Sequence, residues 1–221
     1  MHRTYEFDVS DILTVGQNSI KLVFSPANVY FKERQKDEKL FSSRDTLSGA
    51  SHLRKSLCMS GWDWGPRLPD AGIWRSIYLL TVDSPRIADV HILQEHCENR
   101  VFVTPTAEIE GKDYDVLCTV TSPSGERFTI PLNEKSEIPN PLLWWINGLG
   151  APNLYTFTLE VIQSGKCVDR LEKKIGLRSL KLIKNKDKYG EEFAFEINGI
   201  KFFAMGADYI PEDNILSRIT K

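Results

Sequence analysis

The chain has 221 residues, of which 41% are hydrophobic and 26% are charged, and its formal net charge is −2 at pH 7. This composition is that of a globular protein long enough for more than one domain, and it argues against nucleic acid or an anionic membrane surface as a partner. No apolar run approaches the length that spans a bilayer. The first residues carry no apolar secretory core, which predicts a cytoplasmic location.

The N-terminal third predicts strands that are separated by one long excursion. Residues 5–9 and 19–24 alternate between apolar and polar side chains, and residues 73–82 form a third candidate strand. The excursion of residues 27–50 contains a charge-dense stretch, residues 29–40. That stretch could form a short exposed helix, but a charge run of this kind favours a solvated surface segment.

A proline-containing junction at residues 83–86 leads into regularly spaced strands. In the strand of residues 155–162, apolar side chains alternate with threonine and glutamate. Several short strands about ten residues apart predict an immunoglobulin-like sandwich. The predicted strands are Ile87–Leu93, Val101–Thr106, Tyr114–Thr121, Glu126–Pro131, Tyr155–Ile162 and Val168–Ile175.

The C-terminal part of the chain predicts a hairpin. Phe193–Ile197 and Ile200–Ala204 flank Asn198-Gly199, a dipeptide that favours a tight primed turn. Residues 202–205 are almost continuously apolar, as in a strand that is buried on both faces of a parallel barrel. A polar residue, Asp208, follows this run and is a candidate for lining a site at the end of the strand.

Cysteine and histidine positions bear on redox state and on metals. The four cysteines, Cys58, Cys97, Cys118 and Cys167, are widely spaced, and no pair forms a CxxC pattern. We therefore predict reduced thiols that act mostly as small apolar packing groups. The histidines have no metal-ligand spacing with cysteine or carboxylate partners, so no metal site and no cofactor is predicted.

The densest chemistry in the chain is Gly61-Trp62-Asp63-Trp64-Gly65-Pro66, which is followed by Gly72-Ile73-Trp74-Arg75. An indole face can cover the apolar C–H face of a pyranose, and a carboxylate accepts hydrogen bonds from adjacent hydroxyls. These residue types therefore predict a sugar site at Trp62 and Asp63. The alternative is that Trp64 and Trp74 are core residues and that Asp63 only caps a turn.

These segments, taken in order, resemble the family 2 glycoside hydrolases, and most closely their β-mannosidase branch. Arg54-Lys55 followed by the two tryptophan motifs looks like the signature of that branch's N-terminal sugar-binding sandwich. Trp144-Trp145 with Asn147-Gly148-Leu149-Gly150 is similar to a segment of the family's immunoglobulin-like domain, and residues 174–178 match the exit from that domain. Residues 206–211 look like the entry into a catalytic barrel.

The resemblance implies an all-β fragment of a longer enzyme: an incomplete jelly-roll sandwich, an immunoglobulin-like β-sandwich, and the first strands of a truncated (β/α)8 barrel. Residues 1–83 would be the C-terminal part of a galactose-binding-like jelly roll. Residues 84–183 would form the immunoglobulin-like sandwich, and residues 184–221 would begin the barrel. Exposed sheet edges in such a fragment predict self-association into a homo-oligomer.

The implied function is that of the non-catalytic front of an exo-acting retaining glycoside hydrolase, a β-mannosidase that removes terminal β-mannose from oligosaccharides. Its two catalytic glutamates would lie on later barrel strands, so no residue here is assigned a catalytic role and the chain alone is expected to be inactive. Trp62, Asp63 and Asp208 are implied to bind substrate. The alternatives are a β-galactosidase or β-glucuronidase of the same family, and a freestanding carbohydrate-binding module.

Two further positions have both a structural and a functional interpretation. Trp144 and Trp145 are interpreted as sandwich packing rather than as a second carbohydrate platform, because aromatic side chains dominate the cores of such sandwiches. Arg178 is interpreted as a structural ion-pair partner, because a planar guanidinium suits a junction between domains.

Overall fold

A computed structural model describes residues 4–61 and 65–220 of the chain. It divides into two compact units, one formed by Met1–Leu79 with Ala207–Lys221 and the other by Leu80–Gly206. All strands of the described residues lie in the second unit. Among the described residues, no helix is long and apolar enough to cross a bilayer. The division into three domains stays a prediction.

The first unit is organised around one helix, α1, which spans Ala27–Asp37. Phe31 is 1% exposed and packs with Ala27 and Ala50, and Leu47 lies against this cluster. The charge-dense stretch is therefore helical, and its charged side chains are exposed, as predicted for a solvated surface face. Phe31 buries one side of the helix together with Ala27. Two 3₁₀ turns follow the helix, at Ala50–His52 and Leu57–Met59.

Gly49 allows the first of these turns to approach the helix. Its φ of 80° is in the left-handed region, and a Cβ at this position would lie 2.6 Å from the backbone oxygen of Phe31. The Gln35 side chain ties the same region together, because its amide donates to the Leu40 backbone oxygen at 2.8 Å and its oxygen lies 2.9 Å from His52 Nε2. The helix and the turns after it therefore form one small packed cluster.

The strands predicted at residues 5–9, 19–24 and 73–82 do not form, and these three predictions were wrong. The described residues of these segments are extended or irregular chain without strand pairing. Their apolar side chains, such as Phe7 at 75% exposure and Tyr78 at 77%, are not covered. Alternation marks one face of a segment, but a strand also needs a hydrogen-bonded neighbour, and the described residues provide none here.

The second unit contains a two-sheet β-sandwich, which confirms the all-β prediction for this part of the chain. One sheet has the strand order β1-β2-β5 and the other has the order β4-β3-β6-β7, with antiparallel pairing throughout. The predicted strand positions are confirmed, with ends shifted by a few residues. The strands are β1 Arg86–Cys97, β2 Arg100–Glu110, β3 Asp115–Thr121, β4 Arg127–Ile130, β5 Ser136–Glu137, β6 Tyr155–Gln163 and β7 Lys166–Ile175.

The sandwich core lies between the inward-facing side chains of both sheets. Val90 and Val103 come from the first sheet, and Val120, Phe157 and Leu159 come from the second, all at most 1% exposed. The two sheets are also joined by polar contacts at one margin, where the Ile87 backbone N–H donates to Asp169 Oδ2 at 2.7 Å. Apolar burial on this scale is the main term that stabilises such a domain.

Tyr155 begins strand β6 and adds a polar contact to this core. The residue is 1% exposed, and its hydroxyl oxygen accepts a hydrogen bond from the Leu142 backbone N–H at 2.9 Å. This arrangement matches the tyrosine corner of immunoglobulin-like domains, in which a buried tyrosine fixes a preceding loop. Burial raises the pKa of the Tyr155 hydroxyl.

A third sheet follows the sandwich in the chain, with strands β8 Leu180–Ile183, β9 Ala194–Ile197 and β10 Ile200–Phe202. The predicted hairpin is confirmed, because β9 and β10 pair around Asn198 and Gly199 with φ values of 48° and 82°. Positive φ at both central residues is the mark of the primed turn that Asn-Gly favours. The Asn198 side chain accepts from the Ser179 N–H at 2.9 Å and donates to the Trp144 oxygen at 3.0 Å.

The apolar run of residues 202–205 does not become a buried strand, so this expectation was wrong. Strand β10 ends at Phe202, and the following Phe203 and Met205 are 84% and 85% exposed. Within the described part of the chain, strand β9 pairs with Phe202, but no strand pairs with residues 203–205. The start of a barrel therefore stays a prediction.

Candidate functional site

The sugar-binding prediction rests on Trp62 and Asp63, which lie outside the described residues together with Trp64. Their flanking segments are described and show how the chain enters and leaves the motif. Ser60 pairs with Arg67 through an antiparallel bridge, and Gly61 pairs in the same way with Thr46. The Leu47 backbone N–H also donates to the Ser60 oxygen at 2.9 Å. The base of the tryptophan motif is thus fixed on both sides by backbone hydrogen bonding.

Gly61 is required at this base by its conformation and by its neighbours. Its φ is 103°, and a Cβ there would lie 2.8 Å from Arg67 Cγ and 2.9 Å from the Asp45 backbone oxygen. The Arg67 guanidinium donates to the same Asp45 oxygen at 3.2 Å. A larger residue at position 61 would therefore separate the two sides of the base.

Lys55 anchors the segment that follows the motif. Its side chain is only 2% exposed, and its ammonium group donates to the Asp70 backbone oxygen and lies 3.7 Å from Asp70 Oδ1. Burial lowers the pKa of Lys55, and the nearby Asp70 carboxylate opposes this effect. A buried ammonium needs such partners, because an unpaired charge away from water is strongly destabilising.

A small cavity of about 120 Å³ lies next to this anchor. The Trp74 indole is 48% exposed, and the Arg75 guanidinium lies 4.4 Å from its ring centroid, which is a cation–π geometry. Complete small-molecule pockets are typically about 300–1,000 Å³, so this cavity alone does not enclose a sugar. The cavity is lined by Ser56, Met59, residues 70–74, Leu216 and Ser217.

Asp208, the third predicted substrate-binding residue, is exposed and does not line this cavity. The structure therefore places the Asp208 side chain in solvent. Its assignment to the substrate site stays a prediction.

Trp144 and Arg178 form a contact that differs from the expected ion pair. The Arg178 guanidinium lies 4.8 Å from the Trp144 ring centroid, and within residues 4–61 and 65–220 no carboxylate forms an ion pair with it. Gly176 permits the close approach, since a Cβ there would lie 2.6 Å from Trp144 Cβ. Arginine stacks well on aromatic faces, which explains the replacement of an ion pair by a cation–π contact.

The four cysteines differ in burial. Cys58 and Cys118 are buried, whereas Cys97 and Cys167 are exposed, and all four are free thiols. Burial raises the pKa of the Cys118 thiol to about 11. In the described part of the chain, no group of three histidine, cysteine or acidic side chains could hold a metal ion. The packing role predicted for the thiols therefore applies to two of the four.

Two family profiles match the chain over most of its length. The profile described as "Glycosyl hydrolase 2 galactose-binding domain-like" matches residues 1–75. The profile described as "Glycosyl hydrolases family 2" matches residues 83–178. The chain belongs to glycosyl hydrolase family 2. The second match coincides with the sandwich of strands β1 to β7, and the first contains the tryptophan motif.

Relatives within glycosyl hydrolase family 2 carry β-mannosidase names. The chain is similar to β-mannosidase B of Emericella nidulans, at 31% identity over 100% of this chain and 28% of the relative. It is also similar to β-mannosidase B of Aspergillus oryzae, at 32% identity over 100% of this chain and 28% of the relative. The chain thus spans about 28% of the length of these curated relatives.

A solved structure shows the same relationship. The β-D-mannosidase of Dictyoglomus thermophilum superposes with a TM-score of 0.69 at 30% sequence identity, covering 87% of this chain and 26% of that protein. The chain is therefore similar to the β-mannosidase members of glycosyl hydrolase family 2 in sequence and in fold.

Sequence reasoning missed two residues that the structure places beside the motif. Lys55 was considered only as part of the family signature, and its burial was not expected because lysine side chains are mostly exposed. Asn214 donates from Nδ2 to the Pro66 backbone oxygen at 2.6 Å. No local pattern predicts this second contact, because the two residues are 148 positions apart.

Proposed function

We propose that this chain is the non-catalytic front portion of an exo-acting retaining glycoside hydrolase, a β-mannosidase that removes terminal β-mannose from oligosaccharides. The observation that supports this most strongly is the match to β-mannosidases across 87–100% of the chain, in sequence and in structure. In this proposal residues 1–83 supply part of a sugar-binding sandwich, residues 84–183 supply the immunoglobulin-like domain, and residues 184–221 begin the catalytic barrel.

The chemistry proposed for this chain is substrate binding. Asp63 accepts hydrogen bonds from sugar hydroxyls, Trp62 supplies an apolar wall, and Asp208 lines the site from the start of the barrel. Retaining hydrolysis needs two carboxylates about 5–5.5 Å apart, one as nucleophile and one as acid/base. No glutamate of this chain is assigned either role, so both are proposed to come from the rest of the enzyme.

The Asp63 contribution can be tested in the full-length enzyme that the proposal requires. Hydrogen bonds to a charged acceptor contribute about 1.5–3 kcal/mol, so Asp63→Asn is expected to lower kcat/KM for an aryl β-mannoside by roughly 10- to 150-fold. The matched control is Asp113→Asn, since Asp113 is exposed and has a φ of 57°, which asparagine also adopts. Equal activity of the two variants would refute the role of Asp63.

The chain by itself provides a second test. Incubation with an aryl β-mannoside is expected to release no aglycone above the buffer rate. Turnover that disappears on substitution of one residue of this chain would contradict the proposal of a non-catalytic portion.

The substrate class is tested by comparing aryl β-mannoside, β-galactoside and β-glucuronide in the full-length enzyme. Faster hydrolysis of the galactoside or the glucuronide would favour the corresponding alternative.

A freestanding carbohydrate-binding module is the remaining alternative. It would bind methyl β-mannoside with millimolar affinity in the absence of any other chain, and this binding would be lost in Asp63→Ala. A portion of a larger enzyme has only one wall of the site and is expected to show no binding in the same titration.

We further propose a cytoplasmic location, which cell fractionation tests. We also propose self-association through exposed sheet edges, which sedimentation measurements test.

A further inference from the structure

Residues 213–218 form a self-contained turn near the end of the chain. The Asp213 carboxylate accepts two hydrogen bonds from Arg218, from Nε and Nη2, both at 2.8 Å. It also accepts from the Ile215 backbone N–H at 2.8 Å. These contacts lower the pKa of Asp213, with the Arg218 hydrogen bonds as the largest cause. The turn therefore has a shape of its own, which presents Asn214 in a fixed direction.

This turn packs against the segment that follows the tryptophan motif, residues 65–74, which we call the post-motif segment. Asn214 Nδ2 donates to the Pro66 backbone oxygen at 2.6 Å. Ile215 lines an open surface hollow together with residues 67–70, and Leu216 and Ser217 line the small cavity together with Trp74. The turn and the post-motif segment thus share one hydrogen bond and the lining of two hollows.

The fit between Asn214 and the segment is close. A Cβ at Gly65 would lie 2.6 Å from both Nδ2 and Oδ1 of Asn214 and 3.0 Å from its Cγ. Only a glycine at position 65 leaves room for the amide to reach the Pro66 oxygen. The middle of the segment is held independently, by the buried Lys55 at Asp70. The post-motif segment is therefore fixed near its start by Asn214 and in its middle by Lys55.

We propose that Asn214 is a positioning residue that fixes the post-motif segment, and through it one side of the sugar-binding site. The functional half of this inference, which is the effect of Asn214 on the sugar-binding site, rests on the proposed function. The contact joins a residue in the predicted start of the barrel to the predicted sugar-binding sandwich. Sugar binding is then coupled to the conformation of residues 213–218, and by linkage a bound sugar stabilises that turn.

Amide hydrogen exchange of the isolated chain tests the positioning directly. Asn214→Ala is expected to speed exchange of the Asp70 amide, which donates to the Leu68 oxygen, by about fivefold, the factor that corresponds to one ordinary hydrogen bond, and to leave strand β6 unchanged. Asn214→Asp keeps the shape but has no N–H to donate, so it is expected to behave like Asn214→Ala. The control is Asn185→Ala, which removes a similar side-chain contact, to Glu192 Oε1, in the other unit. Unchanged exchange in both Asn214 variants would overturn the proposal.

A double-mutant cycle sharpens the test. Gly65→Ala is expected to speed exchange of the Asp70 amide because the new methyl group displaces the Asn214 amide. In the Asn214→Ala background the same change is expected to have little effect, because the displaced group is already absent. Additive effects of the two substitutions would show that they do not share a contact, and the proposal would fail.

The environment of Trp74 gives a spectroscopic readout. In a chain labelled with 5-fluorotryptophan, the Trp74 resonance is assigned by its loss in Trp74→Phe. It is expected to shift in both Asn214 variants, because Leu216 and Ser217 of the displaced turn line the same cavity as Trp74. An unchanged Trp74 resonance would contradict the proposal even if the variants lose stability.

Enzyme kinetics separate this inference from the proposed function. In the full-length enzyme, Asn214→Ala is expected to raise KM for an aryl β-mannoside about fivefold with a smaller change in kcat, since it disturbs binding and not the reacting groups. A wild-type enzyme without activity on mannosides would refute the proposed function, and the exchange and fluorine measurements would then decide the positioning role by themselves. An active enzyme with an unchanged KM in Asn214→Ala would overturn the functional half of the inference.

Discussion

The two units of this chain differ in how their apolar side chains are covered. In the unit Leu80–Gly206, alternating strands place Val120, Phe157 and Leu159 in a common core. In the other unit, Phe7 and Tyr78 have the same alternating context but are 75% and 77% exposed. The two units differ in what surrounds each segment. Alternation places the apolar side chains on one face, but that face is buried only where the segment pairs with another strand and a second layer packs against it.

The largest expected effect tests the sandwich core. Phe157 is 0% exposed, so Phe157→Ala should lower the free energy of unfolding by about 3–5 kcal/mol through lost burial and a residual cavity. Denaturant unfolding followed by circular dichroism measures this. Phe203→Ala is the matched control, since Phe203 is 84% exposed and should change the same quantity by no more than about 0.5 kcal/mol. Similar values for the two variants would contradict the assigned core.

The next effect tests whether the first unit has a core of its own. Phe31 is 1% exposed in a small cluster on helix α1, so Phe31→Ala should destabilise the helix by about 3 kcal/mol. Hydrogen exchange of residues 27–37 should become faster, while strand β6 keeps its protection. Tyr30→Ala, at a neighbouring position that is 38% exposed, serves as control. Loss of protection in both units would show that they unfold together.

A smaller effect concerns the pH dependence of the sandwich. Burial raises the pKa of the Cys118 thiol to about 11 from an ordinary value of 9.0. The thiol stays neutral in the folded chain while it ionises in the unfolded chain, so its contribution is fully present below pH 9 and is lost as the pH rises towards 11. By pH 10 the loss should be about 1 kcal/mol.

Urea unfolding at pH 8 and at pH 10 measures this loss. The difference between the two pH values should be smaller in Cys118→Ala than in the wild-type chain, because alanine has no proton to lose. Cys167→Ala is the control, since Cys167 is exposed and its removal leaves the buried Cys118 thiol in place. An identical pH dependence in all three proteins would rule out the buried-thiol effect.

The smallest effect tests the tyrosine corner. Tyr155→Phe keeps the buried ring and removes only the hydroxyl that accepts from the Leu142 N–H, so the free energy of unfolding should fall by about 1 kcal/mol. Thermal unfolding detects this change. Tyr114→Phe, at a position that is 36% exposed, should be neutral. A neutral Tyr155→Phe would mean that water replaces the lost partner without cost.

The parts of the fold that sequence predicts are those decided by local pattern. Six strands of the sandwich follow from alternation and turn residues, whereas the two-residue strand β5 was not predicted. The hairpin at Asn198-Gly199 follows from its dipeptide. The contact between Asn214 and Pro66 depends on residues 148 positions apart, and nothing in either local stretch encodes it. The burial of Phe31 depends in the same way on Gly49 and Ala50, which a charge-dense stretch does not reveal.

The candidate site shows the same division. The residue types at Trp62 and Asp63 predict sugar chemistry without any coordinates. The supports of the motif, such as the buried ammonium of Lys55 and the bridge between Ser60 and Arg67, became visible only in three dimensions. Residue identity indicates the chemistry of a site. The rigidity of the site depends on contact partners that the local sequence does not predict.

The turn at Asn198 has a consequence for the ageing of the protein. An asparagine followed by glycine is prone to deamidation, because the glycine nitrogen can attack the side-chain carbonyl without hindrance. The attack expels ammonia and forms a succinimide, which water then opens to aspartate or isoaspartate. In the folded chain the amide is held by the Ser179 N–H and by the Trp144 oxygen. Each opening of the hairpin frees the Asn198 amide to react. The carboxylate that the reaction forms cannot donate a hydrogen bond to the Trp144 oxygen. Accumulated deamidation at this position would therefore be a chemical record of how often the hairpin has opened.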